Sequence, residues 1–148
     1  MLSNTGRTRA ISLVAFILLL LAALWVPVRG KSANPVALKT SEFGHGPTIV
    51  FVHSLGASRY DWLLTARKMF GRYHVVLVDL PGHGDTPLFD SFSFASVGDA
   101  LDAELAKEKP DSTIVIGHAL GGRIVLATLA AHPGRAKGLV LRRSRRLG

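Results

Sequence analysis

The sequence predicts an α/β fold: a mostly parallel sheet with helices on both faces, preceded by an N-terminal hydrophobic helix. Three observations carry this. The runs TIVFVH (48–53), HVVLVD (74–79), TIVIGH (113–118) and KGLVL (137–141) are apolar and rich in β-branched residues. That is the pattern of strands buried on both sides. Helix-like stretches alternate with them, which calls for parallel strands and crossovers. Short Gly- and Pro-rich turns (SLGAS, LPGHGDTP, ALGG) follow the first three runs.

The elements follow in order. ISLVAFILLLLAALWVPV (11–28) is almost wholly apolar and follows Arg7 and Arg9. A secretory core is about 7 to 15 residues, and a membrane span needs about 20. Trp25 would sit at the far interface. Val28-Arg29-Gly30 is a poor cleavage site. Residues 1–30 therefore read as a signal anchor, with a cleaved signal peptide as the alternative. The first places the domain on the membrane outside the cytoplasm; the second secretes it. RGKSANP (29–35) is a linker, and 31–141 is the folded domain. PVALKT (35–40) reads as a short strand and GHGP (44–47) as a turn. After the 48–53 strand, Ser58 is the expected cap of a helix over 59–70 that stops at Gly71. After the 74–79 strand, Ser96 and Asp99 mark a helix start. Val97, Leu101 and Leu105 form its apolar stripe, and Pro110 closes it. The 113–118 strand leads into a helix over 123–131.

Charge is local. The net charge is +8, but six of the 18 Lys and Arg residues lie from Arg135 onward, with no acid among them. The rest is close to balance, so the basicity is a tail (142–148) rather than a face. No aromatic residue interleaves with these arginines, so nucleic acid is not an expected partner. There is no cysteine, which excludes disulfides, a thiolate nucleophile and Cys-bound zinc.

Three segments, FVHSLGAS, DLPGHGDT and GHALGG, each follow a strand in this order. Together they resemble the α/β-hydrolase superfamily, in particular its single-domain ester, lactone, epoxide and C–C bond hydrolases. The resemblance covers 35–141. It implies an oxyanion hole made by the N–H groups of Leu55 and Leu120, with Ser54 replacing the usual family glycine. It makes Gly117, His118, Gly121 and Gly122 the framework of a nucleophile elbow. His53, Asp79, Gly82, His83, Gly84 and Asp85 become a loop signature, in which Asp79, His83 and Asp85 shape the loop without performing chemistry. It implies no cofactor and no metal. GHALGG lacks the lysine and spacing of a phosphate-binding loop.

The same resemblance exposes what is missing. The nucleophile position is Ala119, which has no lone pair to attack with. No Asp or Glu follows Asp111, and the one histidine beyond the elbow, His132, ends the elbow helix before Pro133. The chain then changes abruptly to RRSRRLG, which reads as a truncated or frameshifted continuation and leaves KGLVL as an exposed edge strand. A partner that completes this edge is expected. Three readings follow: a truncated, catalytically impaired α/β-hydrolase; a non-covalent hydrolase in which His53 or His118 activates water above the oxyanion hole; and a membrane-anchored interaction protein that holds an acyl-type ligand.

Overall fold

A computed structural model describes residues 36–143. The apolar run 11–28, and the tail beyond 143, lie outside the described residues. Among those described, no helix is long and apolar enough to cross a membrane. The sheet has five strands: β1 (Lys39–Phe43), β2 (Thr48–Val52), β3 (His74–Asp79), β4 (Thr113–His118) and β5 (Gly138–Arg142). Three helices accompany it: α1 (Leu63–Ala66), α2 (Phe94–Leu105) and α3 (Leu120–Ala131). The strand order is β1-β3-β2-β4-β5. β1 runs antiparallel to β3, and all other pairs are parallel. The chain steps from β2 outward to β3, then crosses back to β4 on the other side of β2. Ligand crevices of open α/β sheets form at such a switch, outside the carboxyl ends of the strands.

Alternation along the strands builds a core on each face. Val50, Val52, Val76, Val78 and Val115 pack with Val97, Leu101 and Leu105 of α2 and Ile124 and Val125 of α3. Ile49, Phe51, Val75 and Leu77 face the other way, under Trp62 and Ala66. The rings of Phe51 and Trp62 are 4.9 Å apart. The predicted stripe Val97, Leu101 and Leu105 is buried. Cover thins towards β5, where Ile114, Val140 and Leu141 are exposed.

Several predicted boundaries are corrected. The first strand starts at Lys39 and overlaps PVALKT by two residues; its sequence, KTSEF, is polar because it lies half-exposed at the sheet's end. The helix expected over 59–70 is a 3-10 turn (Arg59–Trp62), then α1, then a series of turns. Ser58 makes no side-chain cap there; the Asp79 carboxylate takes the Arg59 N–H instead. α2 starts at Phe94, capped by Ser93, and Ser96 is the reciprocal partner in that capping box rather than the cap itself. It ends at Leu105, and Pro110 opens a separate 3-10 turn (Pro110–Ser112). α3 begins at Leu120, three residues earlier than the apolar pattern indicates, because Gly121 and Gly122 are helical. Arg142, assigned to the basic tail, is the last residue of β5.

Candidate functional site

The turn between β4 and α3 carries a strained backbone. Ala119 has φ +49° and ψ −109° and is the one non-glycine residue with positive φ among the described residues. Such a conformation costs on the order of 1–3 kcal/mol and persists only where its surroundings enforce it. Here the Ala119 N–H donates to the Arg142 carbonyl (3.0 Å), and its own carbonyl accepts from Arg123 N–H (3.2 Å). Packing supplies the rest. A β-carbon on Gly117 would lie 2.5 Å from the Gly122 Cα, and one on Gly121 would meet the His53 carbonyl and lie 2.8 Å from that of Val52. One on Gly122 would lie 3.1 Å from the Gly117 carbonyl. Three side-chain-free positions thus let α3 rise directly against β2 and β4.

Leu120 is the first residue of α3. The opening amides of a helix have no intrahelical carbonyl partner, and the helix dipole makes that end receptive to negative charge. Across the switch point, the turn after β2 closes with Ala57 N–H on the Ser54 carbonyl (3.2 Å). Leu55 stands at its tip, 71% exposed. The positive φ of this turn falls on Gly56 (+74°), and Ser54 has none. The replacement of the family glycine by Ser54 is therefore accommodated without strain.

Polar side chains tie the loops after β2 and β3 together. Leu80 N–H donates to His53 Nε2 (3.0 Å), and His53 Nδ1 lies 2.7 Å from the Ser54 carbonyl. Gly56 N–H donates to His83 Nε2 (3.1 Å), and His83 Nδ1 lies 3.0 Å from the Pro81 carbonyl. Burial lowers the pKa of His53 below its ordinary 6.5, and the neighbouring His83 adds to this; the Ser54 carbonyl and Asp79 pull the other way. Asp79 is fully buried and accepts from Arg59 N–H (2.6 Å), from the Arg59 guanidinium and from Asp85 N–H (2.9 Å). Arg59 also reaches Asp85 (2.6 Å) and the Ser41 hydroxyl (2.8 Å). Burial works against the Arg59 charge, but its bonds to Asp85 and Asp79 outweigh it and raise the pKa. Gly84, at φ +54°, passes so close to the Asp79 carboxylate that no β-carbon fits. Gly82 N–H closes the loop on the Thr86 carbonyl (3.1 Å).

These contacts sort the expected site residues. Leu55 and Leu120 sit on the two elements that flank the switch point, and Ala119 lies at its edge. His53, Asp79, Gly82, His83, Gly84 and Asp85 hold loops in place. His118 stacks edge-on against Trp62 (6.2 Å), on the face away from α2 and α3. His132 lies at the far end of α3, about 18 Å of helix from the elbow, beside Asp102 (3.7 Å), which Arg135 already grips with two hydrogen bonds. Among the described residues no group of three or more His, Cys, Asp or Glu is placed to hold a metal ion. Arg59 was not singled out from the sequence. The signal was Asp79 at the end of an apolar strand, since a buried carboxylate needs a cation or several N–H groups.

On the β5 side of the elbow is an open cleft of about 620 Å³, lined by Ala119, Leu120, Leu126, Leu141, Arg123 and Arg143 among others. Residues 47–145 match the family model for the alpha/beta hydrolase fold. The chain belongs to the α/β-hydrolase family. Among curated family proteins it is 37% identical over 98 residues to a pimeloyl-[acyl-carrier protein] methyl ester esterase of Chromobacterium violaceum, covering 66% of this chain and 37% of that protein. It is 38% identical over 94 residues to a 2-succinyl-6-hydroxy-2,4-cyclohexadiene-1-carboxylate synthase of Yersinia pseudotuberculosis, covering 64% and 34%. A marine microorganism esterase superposes with a TM-score of 0.66 at 28% identity, over 72% of this chain and 41% of the esterase. The chain thus spans well under half the length of these α/β-hydrolases.

Proposed function

We propose that this α/β-hydrolase chain binds acyl esters or related acyl ligands at the elbow and does not cleave them through a covalent intermediate. The observation that carries the reading is Ala119. It holds the strained backbone of an elbow while presenting only a methyl group. The Leu55 and Leu120 N–H groups need no particular side chain to meet an ester carbonyl oxygen. Leu120, Leu126 and Leu141 offer apolar surface for the acyl part, and Arg123 and Arg143 bring positive charge to the same cleft. Two relatives named as a methyl ester esterase and an esterase make an ester the first ligand class to test.

The activated-water reading draws little support from His53. It is buried, and both ring nitrogens are engaged with backbone groups. A base must be free to take a proton. The proposal extends to the leader: the apolar run 11–28 anchors the chain, with the domain outside the cytoplasm, and alkaline extraction of native membranes tests this. A partner that covers the β5 edge also belongs to this reading.

The binding test uses the full chain. Methyl octanoate is expected to shift the Leu55 and Leu120 amide resonances. Hydrolysis of p-nitrophenyl butyrate by the natural chain is expected at the buffer rate, with no acyl adduct by intact mass. Turnover by the natural chain, or no response of either amide, overturns the reading.

A further inference from the structure

The contacts of His53 and His83 are reciprocal. His53, on the β2 side, accepts from Leu80 of the β3 loop. His83, on the β3 side, accepts from Gly56 of the β2 loop. The rings lie 5.1 Å apart. In each ring an N–H donates to Nε2, so Nε2 carries no proton and Nδ1 must. Each Nδ1–H then faces a carbonyl of its own loop, Ser54 or Pro81. A protonated imidazole has no acceptor left, so both cross-loop bonds need neutral rings.

We propose that His53 and His83 form a clasp which, while neutral, holds the 54–58 loop and its Leu55 N–H in the ligand-binding conformation, and that protonation of the pair releases the loop. The proposal rests on the acyl-binding reading only for its effect on affinity. The charged groups around the clasp are Asp79, whose Oδ1 is 4.0 Å from His53 Nε2, and Asp61 on the 3-10 turn. Arg59 and Asp85 act through Asp79. From α3 the neighbour is Gly121, which carries no charge. Arg59 N–H stays on the Asp79 carboxylate when the histidines titrate, so the loop keeps its far end and opens from the Leu55 side. His83 is half-buried and His53 fully so.

The test follows amide resonances of the labelled full chain from about pH 8 to about pH 5, the span in which histidine charges change. Gly56 and Leu80 are expected to move together, while Val50 and Val76 in the strands stay fixed. Methyl octanoate does not ionise, so any fall in its affinity belongs to the protein. A loss of about tenfold is expected, the order of one hydrogen bond's net contribution. His83→Gln keeps an acceptor for Gly56 and is expected to flatten the Gly56 response; His53→Gln is the counterpart for Leu80. The clasp is overturned if neither amide responds, or if each titrates independently of the other. Gating is overturned if both respond and the affinity does not change. If methyl octanoate binds at no pH, the acyl-binding reading falls, and the amide responses still decide the clasp.

Discussion

Two regions meet at the carboxyl end of this sheet and are held by opposite means. The loops after β2 and β3 are fastened by side chains: His53, Asp79, His83 and Thr86 accept from backbone N–H groups of other segments, and the Arg59 guanidinium reaches the Asp79 and Asp85 carboxylates. The elbow after β4 is fastened by the absence of side chains, since Gly117 and Gly121 leave no room for a β-carbon and Gly122 leaves little. The first region is sensitive to charge and the second to volume. The difference also explains how an elbow outlives its nucleophile. Its geometry depends on close backbone contact, to which the residue at 119 contributes little.

The largest effect is expected in the charged region. Asp79→Ala leaves the Arg59 guanidinium buried beside only the partly exposed Asp85 carboxylate. Breaking a buried pair by removing one partner costs about 3–5 kcal/mol, and the denaturant midpoint should fall accordingly. A cost below about 1 kcal/mol, the range of exposed pairs, would show that this network is not the fastening described. Next comes the volume-sensitive region. Gly121→Ala drives a methyl group into the His53 and Val52 carbonyls, which are backbone and cannot swing aside. Overpacking of this kind costs about 1–3 kcal/mol. Because Gly121 lies on His53, the same substitution should also disturb the Leu80 amide, linking the two regions.

The sequence shows one of these mechanisms more clearly than the other. Continuous apolar runs made β2, β3 and β4 legible to within a residue; β2 and β3 are buried on both faces, and β4 keeps an apolar sequence although one of its faces is thinly covered at Ile114. The glycines of GHALGG were legible as a close approach, since their spacing matches a strand-to-helix turn. β1 was largely missed because half its surface is wet and its residues are polar. The helix expected after Ser58 was overextended for a different reason. Arg59 spends its N–H and its guanidinium on residues 18 to 26 positions away, which local periodicity cannot register. The role of His83 was legible as loop-shaping; its reciprocity with His53 depends on two loops meeting in space.

A smaller effect separates the regions by pH. His53 has a folded pKa below its ordinary value of 6.5, chiefly through burial. Above about pH 6.5 the residue is neutral in both folded and unfolded chains and contributes no pH dependence. As the pH falls below that value, the unfolded chain takes up a proton that the folded one resists, so stability declines. His53→Gln should remove this part of the acid sensitivity, read as the pH dependence of the melting temperature. Asp102, whose pKa is lowered first by its hydrogen bond from Arg135, acts in a separate window: its stabilisation is lost as pH falls below the ordinary 3.8. An unchanged pH profile in His53→Gln would place the acid sensitivity elsewhere.

The smallest effect has the opposite sign. Ala119→Gly places a residue that tolerates positive φ where an alanine is held at +49°. The strain released is on the order of 1–3 kcal/mol. Against it stands the extra freedom glycine gains in the unfolded chain, roughly 0.5–1 kcal/mol. The expected net is a stabilisation of about 1 kcal/mol, seen as a higher denaturant midpoint with an unchanged slope. A destabilised Ala119→Gly variant would mean that the methyl group earns packing contacts in the cleft that exceed the strain. The elbow would then be held partly by its side chain, and the contrast with the histidine-fastened loops would be one of degree.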